Sequence, residues 1–128
     1  MGRLRAETLE RMESYADRVL AVADHLERKR RPRRIIDQVS GSGTSAAANV
    51  FEADEALTAK DFAKTLGITA KELNETRFWL RLFIRRGWFK PKQLSPLLEE
   101  TLELKSMFGA MIVRTRDRSL RKPRRAPP

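Results

Sequence analysis

The sequence contains no cysteine, which excludes disulfides, thiolate metal sites and cysteine nucleophiles. It contains one histidine, His25, so a metal site built from several imidazoles is excluded as well. No apolar run of about 18 residues occurs, and the first residues lack the apolar core of a signal peptide. These absences predict a cytoplasmic protein with no membrane partner, no metal and no other cofactor.

Positive charge, in contrast, is abundant. The 128 residues include 27 Lys and Arg against 17 Asp and Glu, which gives a net charge of +10. A chain of this length suits a single domain. The charge favours a polyanionic partner, with nucleic acid ahead of an acidic protein or a membrane surface.

Apolar residues keep a helical period along most of the chain, and no proline lies between Pro32 and Pro91. This pattern predicts an all-α fold with helices near residues 5–30, 33–53, 59–87 and 95–116. Short connections then imply an antiparallel up-down-up-down four-helix bundle over residues 1–116. The remainder, residues 117–128, has no apolar period and is predicted to be a basic disordered tail.

The same period predicts which side chains form the core. In the third helix they are Phe62, Leu66, Thr69, Leu73, Thr76, Leu80 and Phe83. In the fourth helix they are Leu98, Thr101 or Leu102, Lys105, Phe108, Ile112 and Thr115.

Local signals indicate where the helices begin, continue and end. Gly41 and Gly43 are compatible with a loop, but the apolar phase continues across them. We therefore expect one continuous second helix, with small residues where a neighbouring helix approaches closely. Gly87 is expected to end the third helix. Ser95 and Pro96 are expected to begin the fourth helix as its N-cap and first residue.

The cations form three clusters that we predict to bind nucleic acid, because arginine holds phosphate oxygens in a bidentate manner. The clusters lie between the first two helices, between the last two helices, and near the C-terminus. They comprise Arg28, Lys29, Arg30, Arg31, Arg33 and Arg34; then Arg85, Arg86, Lys90 and Lys92; then Arg114, Arg116, Arg118, Arg121, Lys122, Arg124 and Arg125. Contact with protein alone is one alternative, and a solvated basic surface with no functional role is the other. No recognition helix of the helix-turn-helix type is evident, so sequence-specific reading of DNA is not expected. RNA is the favoured nucleic acid.

Two aromatic residues, Trp88 and Phe89, lie within the second cluster. They are compatible with stacking on exposed bases. The favoured alternative is that they cover the end of the apolar core.

Polar residues also keep a helical period in the second and third helices. We expect helix contacts or a subunit seam from Gln38, Ser42, Ser45, Asn49, Glu52, Glu72, Thr76 and Trp79. A ligand site is the less favoured alternative. Glu72 and Glu75 are expected to form ion pairs with Lys71 and Arg77 on the helix surface.

Several short sequences resemble one known family. They are SGTSAAAN at 42–49, Glu52-Ala53, Lys60-Asp61-Phe62, Leu66-Gly67-Ile68, Lys71-Glu72, and Glu75-Thr76 with Trp79-Leu80. This set resembles the bacterial four-helix-bundle proteins first noticed as open reading frames in intervening sequences of 23S ribosomal RNA. Gly41 departs from that pattern, since relatives usually carry a basic or longer residue there, and the Arg-rich tail is not part of it.

The resemblance implies an antiparallel four-helix bundle that assembles as a ring-like homopentamer. A related branch comprises accessory variability proteins of diversity-generating retroelements, which bind a reverse transcriptase and nucleic acid. The leading hypothesis is therefore a homopentameric nucleic-acid-binding protein. The alternative is a protein adaptor, such as an accessory subunit of a reverse transcriptase in such a retroelement.

No residue set supports catalysis. A di-iron bundle needs Glu-x-x-His pairs, but the residue three positions before His25 is Val22. The segment Gly41–Ser45 lacks the lysine of a phosphate-binding loop. We therefore predict that the chain is not an enzyme, and that His25 is a surface or helix-capping residue.

Overall fold

The computed structural model describes residues 2–120, which form four α-helices and their connections. The helices are α1 Ala6–Arg28, α2 Arg33–Asp54, α3 Ala59–Arg85 and α4 Pro91–Leu120. Residues 2–120 contain no strand. None of their helices combines the length and the apolar character that crossing a membrane requires. The predicted all-α fold class is confirmed.

Each helix packs against its neighbours in the chain, and α1 also contacts α4. The contacts run in antiparallel register. Between α2 and α3, for example, Ser42 hydrogen-bonds Thr76, whereas the Thr69 hydroxyl donates to the carbonyl of Ala46 further along α2. The arrangement is compatible with the predicted four-helix bundle.

Hydroxyl groups from all four helices lie within the apolar core. Tyr15 of α1 bonds Thr101 of α4 at 2.8 Å between their hydroxyl oxygens, and Ser42 bonds Thr76 at the same distance. All four side chains are buried. Burial raises the pKa of Tyr15 to about 12, so its phenol stays uncharged at neutral pH.

The continuous second helix is confirmed, because α2 passes through both of its glycines. The two glycines have different surroundings. A Cβ atom on Gly43 would lie 2.5 Å from Cγ1 of Val19 in α1, which is closer than two non-bonded carbon atoms approach in proteins. A Cβ atom on Gly41 would meet nothing within 4 Å. The close approach of α1 to α2 therefore requires glycine at position 43, whereas position 41 has room for a side chain.

The predictions for α3 are confirmed at both the core and the C-terminus. All seven side chains of its predicted stripe are buried. Thr58 caps the N-terminus by accepting a bond from the Asp61 N–H at 3.1 Å. Gly87 follows the last turn with φ of +71°, as a C-terminal glycine stop requires.

The prediction for the start of α4 is wrong. The helix begins at Pro91, and Pro96 lies inside it. The reason is a cap that the sequence pattern did not reveal: Gln93 Oε1 accepts a bond from the backbone N–H of Lys90 at 2.7 Å. This bond is one half of a capping box, and it leaves the first helical position to Pro91.

The buried face of α4 also differs from the predicted stripe, and the earlier start adds Leu94 to it. Leu94 and Leu97 are buried, although neither was in the predicted stripe. The buried side chains of α4 are Leu94, Leu97, Thr101, Leu104 and Phe108. Thr101 and Phe108 are therefore the predicted core residues that are confirmed in this helix.

The far end of α4 also differs from the prediction. The helix runs to Leu120 and not to residue 116, because no proline or glycine interrupts the chain between Gly109 and Pro123. Arg114, Arg116 and Arg118 lie exposed on its last turns. The predicted tail cations Arg121, Lys122, Arg124 and Arg125 lie outside the described residues.

Candidate nucleic-acid interface

The turn after α1 and the turn after α3 lie side by side at one end of the molecule. The ring centroids of His25 and Phe89 are 4.5 Å apart, and the guanidinium of Arg31 lies 4.5 Å from the ring centroid of Trp88. Two predicted cation clusters are thereby brought together. We call this surface the basic end, and it comprises Arg28, Lys29, Arg30, Arg31, Arg33, Arg34, Arg85, Arg86, Lys90 and Lys92.

The two turns of the basic end share one backbone motif. After α1, the N–H groups of Arg30 and Arg31 donate to carbonyls in the last turn of the helix, each at 3.0 Å. After α3, the N–H groups of Gly87 and Trp88 do the same at 2.9 Å. Each pair forms a Schellman motif, which satisfies carbonyls at the end of a helix.

This motif requires a residue with positive φ, and the chain uses a different residue in each turn. Gly87 adopts φ of +71° without steric cost, whereas Arg30 has φ of +55°. A side chain in this left-handed region costs about 1–2 kcal/mol. The chain therefore has an arginine where a glycine would relieve strain, and such strain is concentrated at functional sites.

Few cations of the basic end are neutralised within the chain. Arg33 bonds Glu27 at 2.8 Å, which raises the pKa of Arg33, and it lies 3.7 Å from Asp37. Among residues 2–120 it is the only cation of this surface within ion-pairing distance of a carboxylate. The guanidinium of Arg31 is half-buried against Trp88, and the other side chains are exposed.

The pKa of His25 depends on the positive potential of the basic end. Its ring is half-buried against Phe89. Burial lowers the pKa of His25, and the neighbouring cations Arg28, Lys29 and Arg31 lower it further. These surroundings therefore favour the neutral form of the imidazole.

The aromatic residues of the turn after α3 cover the end of the core, as the favoured alternative predicted. Phe89 is only 7% exposed, and it packs beside Phe83 with ring centroids 6.2 Å apart. Trp88 is half-buried, stacked on Phe83 on one side and approached by Arg31. Phe89 therefore has no exposed face on which a base could stack.

The predicted polar stripes divide into three groups. Ser42 and Thr76 are buried and make the expected helix contact. Ser45 and Asn49 are half-buried, and the Asn49 amide donates to the Ser45 carbonyl and hydroxyl within α2. Of the remaining members, the half-buried ones are Glu72 and Trp79, and the exposed ones are Gln38 and Glu52.

The expected ion pairs of Glu72 and Glu75 are absent from the described residues, so that prediction is wrong. The Glu75 carboxylate instead accepts a bond from Trp79 Nε1 at 3.4 Å. Burial raises the pKa of Glu72, and the negative charge of Glu75 raises it further. The positive charge of the exposed Lys71 opposes these two effects but does not outweigh them.

The predicted nucleic-acid surface left out two cations beside the basic end, one of which, Arg77, was assigned to an ion pair. Arg77 and Arg81 line a surface groove of α3 together with Arg85. Their spacing of four residues, which places them along one side of a helix, was visible in the sequence. Within residues 2–120, no cluster of three or more His, Cys, Asp or Glu side chains is placed to hold a metal ion.

Comparisons with known proteins agree with this architecture. The family model described as 23S rRNA-intervening sequence protein matches residues 5–110. A crystal structure of a protein with unknown function from the S23 ribosomal protein family of Bacteroides thetaiotaomicron VPI-5482 is similar, with a TM-score of 0.78 and 29% sequence identity. The alignment covers 81% of this chain and 96% of that one. A search of curated proteins finds no match. The chain belongs to the 23S rRNA-intervening sequence protein family.

Proposed function

We propose that the chain is a non-catalytic RNA-binding protein whose basic end holds RNA phosphates with little dependence on base sequence. The observation that carries this proposal is the convergence of two cation clusters, in which the guanidinium of Arg31 lies over Trp88. The family, described by its association with intervening sequences of 23S rRNA, is compatible with an RNA-related role.

The physical basis is electrostatic. Arginine and lysine that neutralise phosphates release condensed counterions, so affinity falls steeply as salt rises. Contacts of this kind position a nucleic acid without reading its bases. The strained Arg30 supports the proposal, because a turn with only a structural role would be more stable with glycine, as at Gly87.

The first test removes the cations of the turn after α1. We expect Arg30→Gln, Arg31→Gln, Arg33→Gln and Arg34→Gln together to weaken RNA binding by about tenfold or more near 50 mM salt. The plot of log affinity against log salt should become shallower by about 3, since each lost phosphate contact contributes about 0.7. Fluorescence anisotropy with labelled RNA at several salt concentrations measures both quantities.

A matched variant removes equal charge elsewhere, from exposed side chains at Arg5, Lys60, Lys64 and Lys71. It should keep the greater part of the affinity. Equal losses in both variants, or none in either, would contradict a role for the basic end.

The single substitution Arg30→Gly should have opposite effects on stability and binding. It should raise the free energy of unfolding by up to about 1 kcal/mol while weakening RNA binding.

His25 provides a second readout at the same end of the molecule. A bound phosphate offsets the surrounding positive charge, so RNA should raise the pKa of His25 from its lowered value. NMR titration with and without RNA measures this shift without overlap, because the chain has one histidine. An unchanged pKa in the complex would place the RNA elsewhere.

We also propose that copies of the chain assemble as the homopentamer that the family resemblance implies. Phe51 of α2 and Ile68 of α3 are exposed apolar side chains that a second copy would cover, which supports this proposal. Sedimentation equilibrium at micromolar concentration tests the assembly, and a monomer mass would contradict it. If a reverse transcriptase co-purifies with the chain in stoichiometric amount and RNA does not, the adaptor alternative is favoured.

A further inference from the structure

Three arginines lie in sequence along the outer side of α3. Arg77, Arg81 and Arg85 follow one another at four-residue spacing, so each is about 6 Å further along the helix than the last. Arg81 and Arg85 are exposed, and Arg77 is half-buried. None of them pairs with a carboxylate within residues 2–120. We call this row, together with Phe78, the α3 track.

An exposed aromatic ring lies within the row. Phe78 is 53% exposed, although an apolar side chain of that size gains about 1.5–3 kcal/mol when buried. It lines the same surface groove as the three arginines, next to Leu82. Its ring meets Trp79 edge to face, with centroids 5.0 Å apart and planes at 70°. The contact leaves much of the Phe78 ring open to solvent.

The flanks of the track bear both signs of charge. On the α4 side, Lys105 donates to the Asn74 side chain at 2.9 Å. On the other side, Glu75 accepts a bond from Trp79. The C-terminal end of the track is Arg85, which also belongs to the basic end. The two surfaces are therefore continuous.

We propose that single-stranded RNA leaves the basic end along the α3 track, with phosphates on the arginines and a base stacked on Phe78. Aromatic rings and cations together are how proteins hold unpaired nucleotides, since every base has a face that can stack. A duplex keeps its bases stacked on one another and offers none to Phe78. The inference rests on the proposed RNA binding and adds the strandedness of the ligand.

The experiment compares a labelled single-stranded oligouridine with an RNA duplex of equal length by anisotropy. Phe78→Ala should weaken binding of the single strand by about tenfold and leave duplex binding unchanged. Phe78→Leu keeps an apolar side chain without a ring, so it should lose as much affinity for the single strand as Phe78→Ala. Phe78→Trp should retain the affinity. Thermal unfolding verifies that each variant folds, which the exposure of this side chain leads us to expect.

A charge-matched pair tests the arginines. Arg77→Gln with Arg81→Gln should weaken binding and reduce the salt dependence, whereas Lys60→Gln with Lys64→Gln on the same helix should do so much less. Parent-like binding by both ring-deleting Phe78 variants would overturn the track and leave the basic end standing. Failure of the parent chain to bind any RNA would overturn both. A change of mass in Phe78→Ala would make this face a contact between copies of the chain, and would also overturn the track.

Discussion

Gly43→Ala is expected to lower the free energy of unfolding by about 1–3 kcal/mol, although alanine is the better helix former. The added Cβ atom would lie within 3 Å of three side-chain atoms of Val19. That valine is fully buried, and β-branching restricts its rotation about χ1. The clash is therefore relieved only if α1 and α2 move apart. Urea unfolding followed by circular dichroism measures the loss.

Gly41→Ala is the matched control on the same helix. Its Cβ atom would enter open space, so the substitution should raise the free energy of unfolding by up to about 1 kcal/mol. Opposite signs at two glycines separated by one residue would locate the close approach of the helices. Val19→Ala in the Gly43→Ala background should recover part of the loss. Shifts of the same sign at both glycines would contradict the packing of α1 against α2.

The second large effect is expected in the buried hydroxyl groups. Thr101 Oγ1 donates to the Leu97 carbonyl at 2.7 Å, so it is left to accept from the Tyr15 hydroxyl. Thr101→Val keeps the shape of the side chain but removes that acceptor. The Tyr15 hydroxyl then stays buried with this bond unmade, and we expect a cost of about 2 kcal/mol.

Tyr15→Phe removes the donor from the same bond and should cost less, about 1 kcal/mol. The threonine hydroxyl keeps its own bond to Leu97, so no donor is stranded. Chemical denaturation of both single variants and of the double variant measures the coupling between the two side chains. A larger loss in Tyr15→Phe than in Thr101→Val would contradict the assigned direction of the bond.

Much of the fold could be predicted because local signals and apolar period agreed. In α3 the cap at Thr58, the seven core positions and the stop at Gly87 all point to one helix. In α4 they conflict, since Pro91 and Pro96 both suit a first helical turn. The side chain of Gln93 decides between them, because its Oε1 accepts a bond from the backbone N–H of Lys90 three residues earlier. A single glutamine offers no periodic signal from which that choice could be read.

The surface that we propose to bind RNA was predictable in its location more than in its chemistry. Alternating helix direction suffices to bring the two basic turns together. The direction of an aromatic side chain, in contrast, depends on packing: Phe89 faces the core while Phe78 faces solvent. Arg77 and Arg81 do not stand in a dense run of cations, and only the four-residue spacing of a helix brings them beside Arg85.

The different residues in the two matching turns have a consequence for how the chain evolves. Arginine and glycine codons are connected by single-base changes, so glycine at the position of Arg30 is always within mutational reach. Because that change relieves backbone strain, selection for heat resistance favours glycine at this position. If the cation binds RNA as proposed, selection for that binding favours arginine instead. In a library of this chain grown under heat selection, loss of arginine at position 30 should be among the first changes to spread, while selection for RNA retention should keep it.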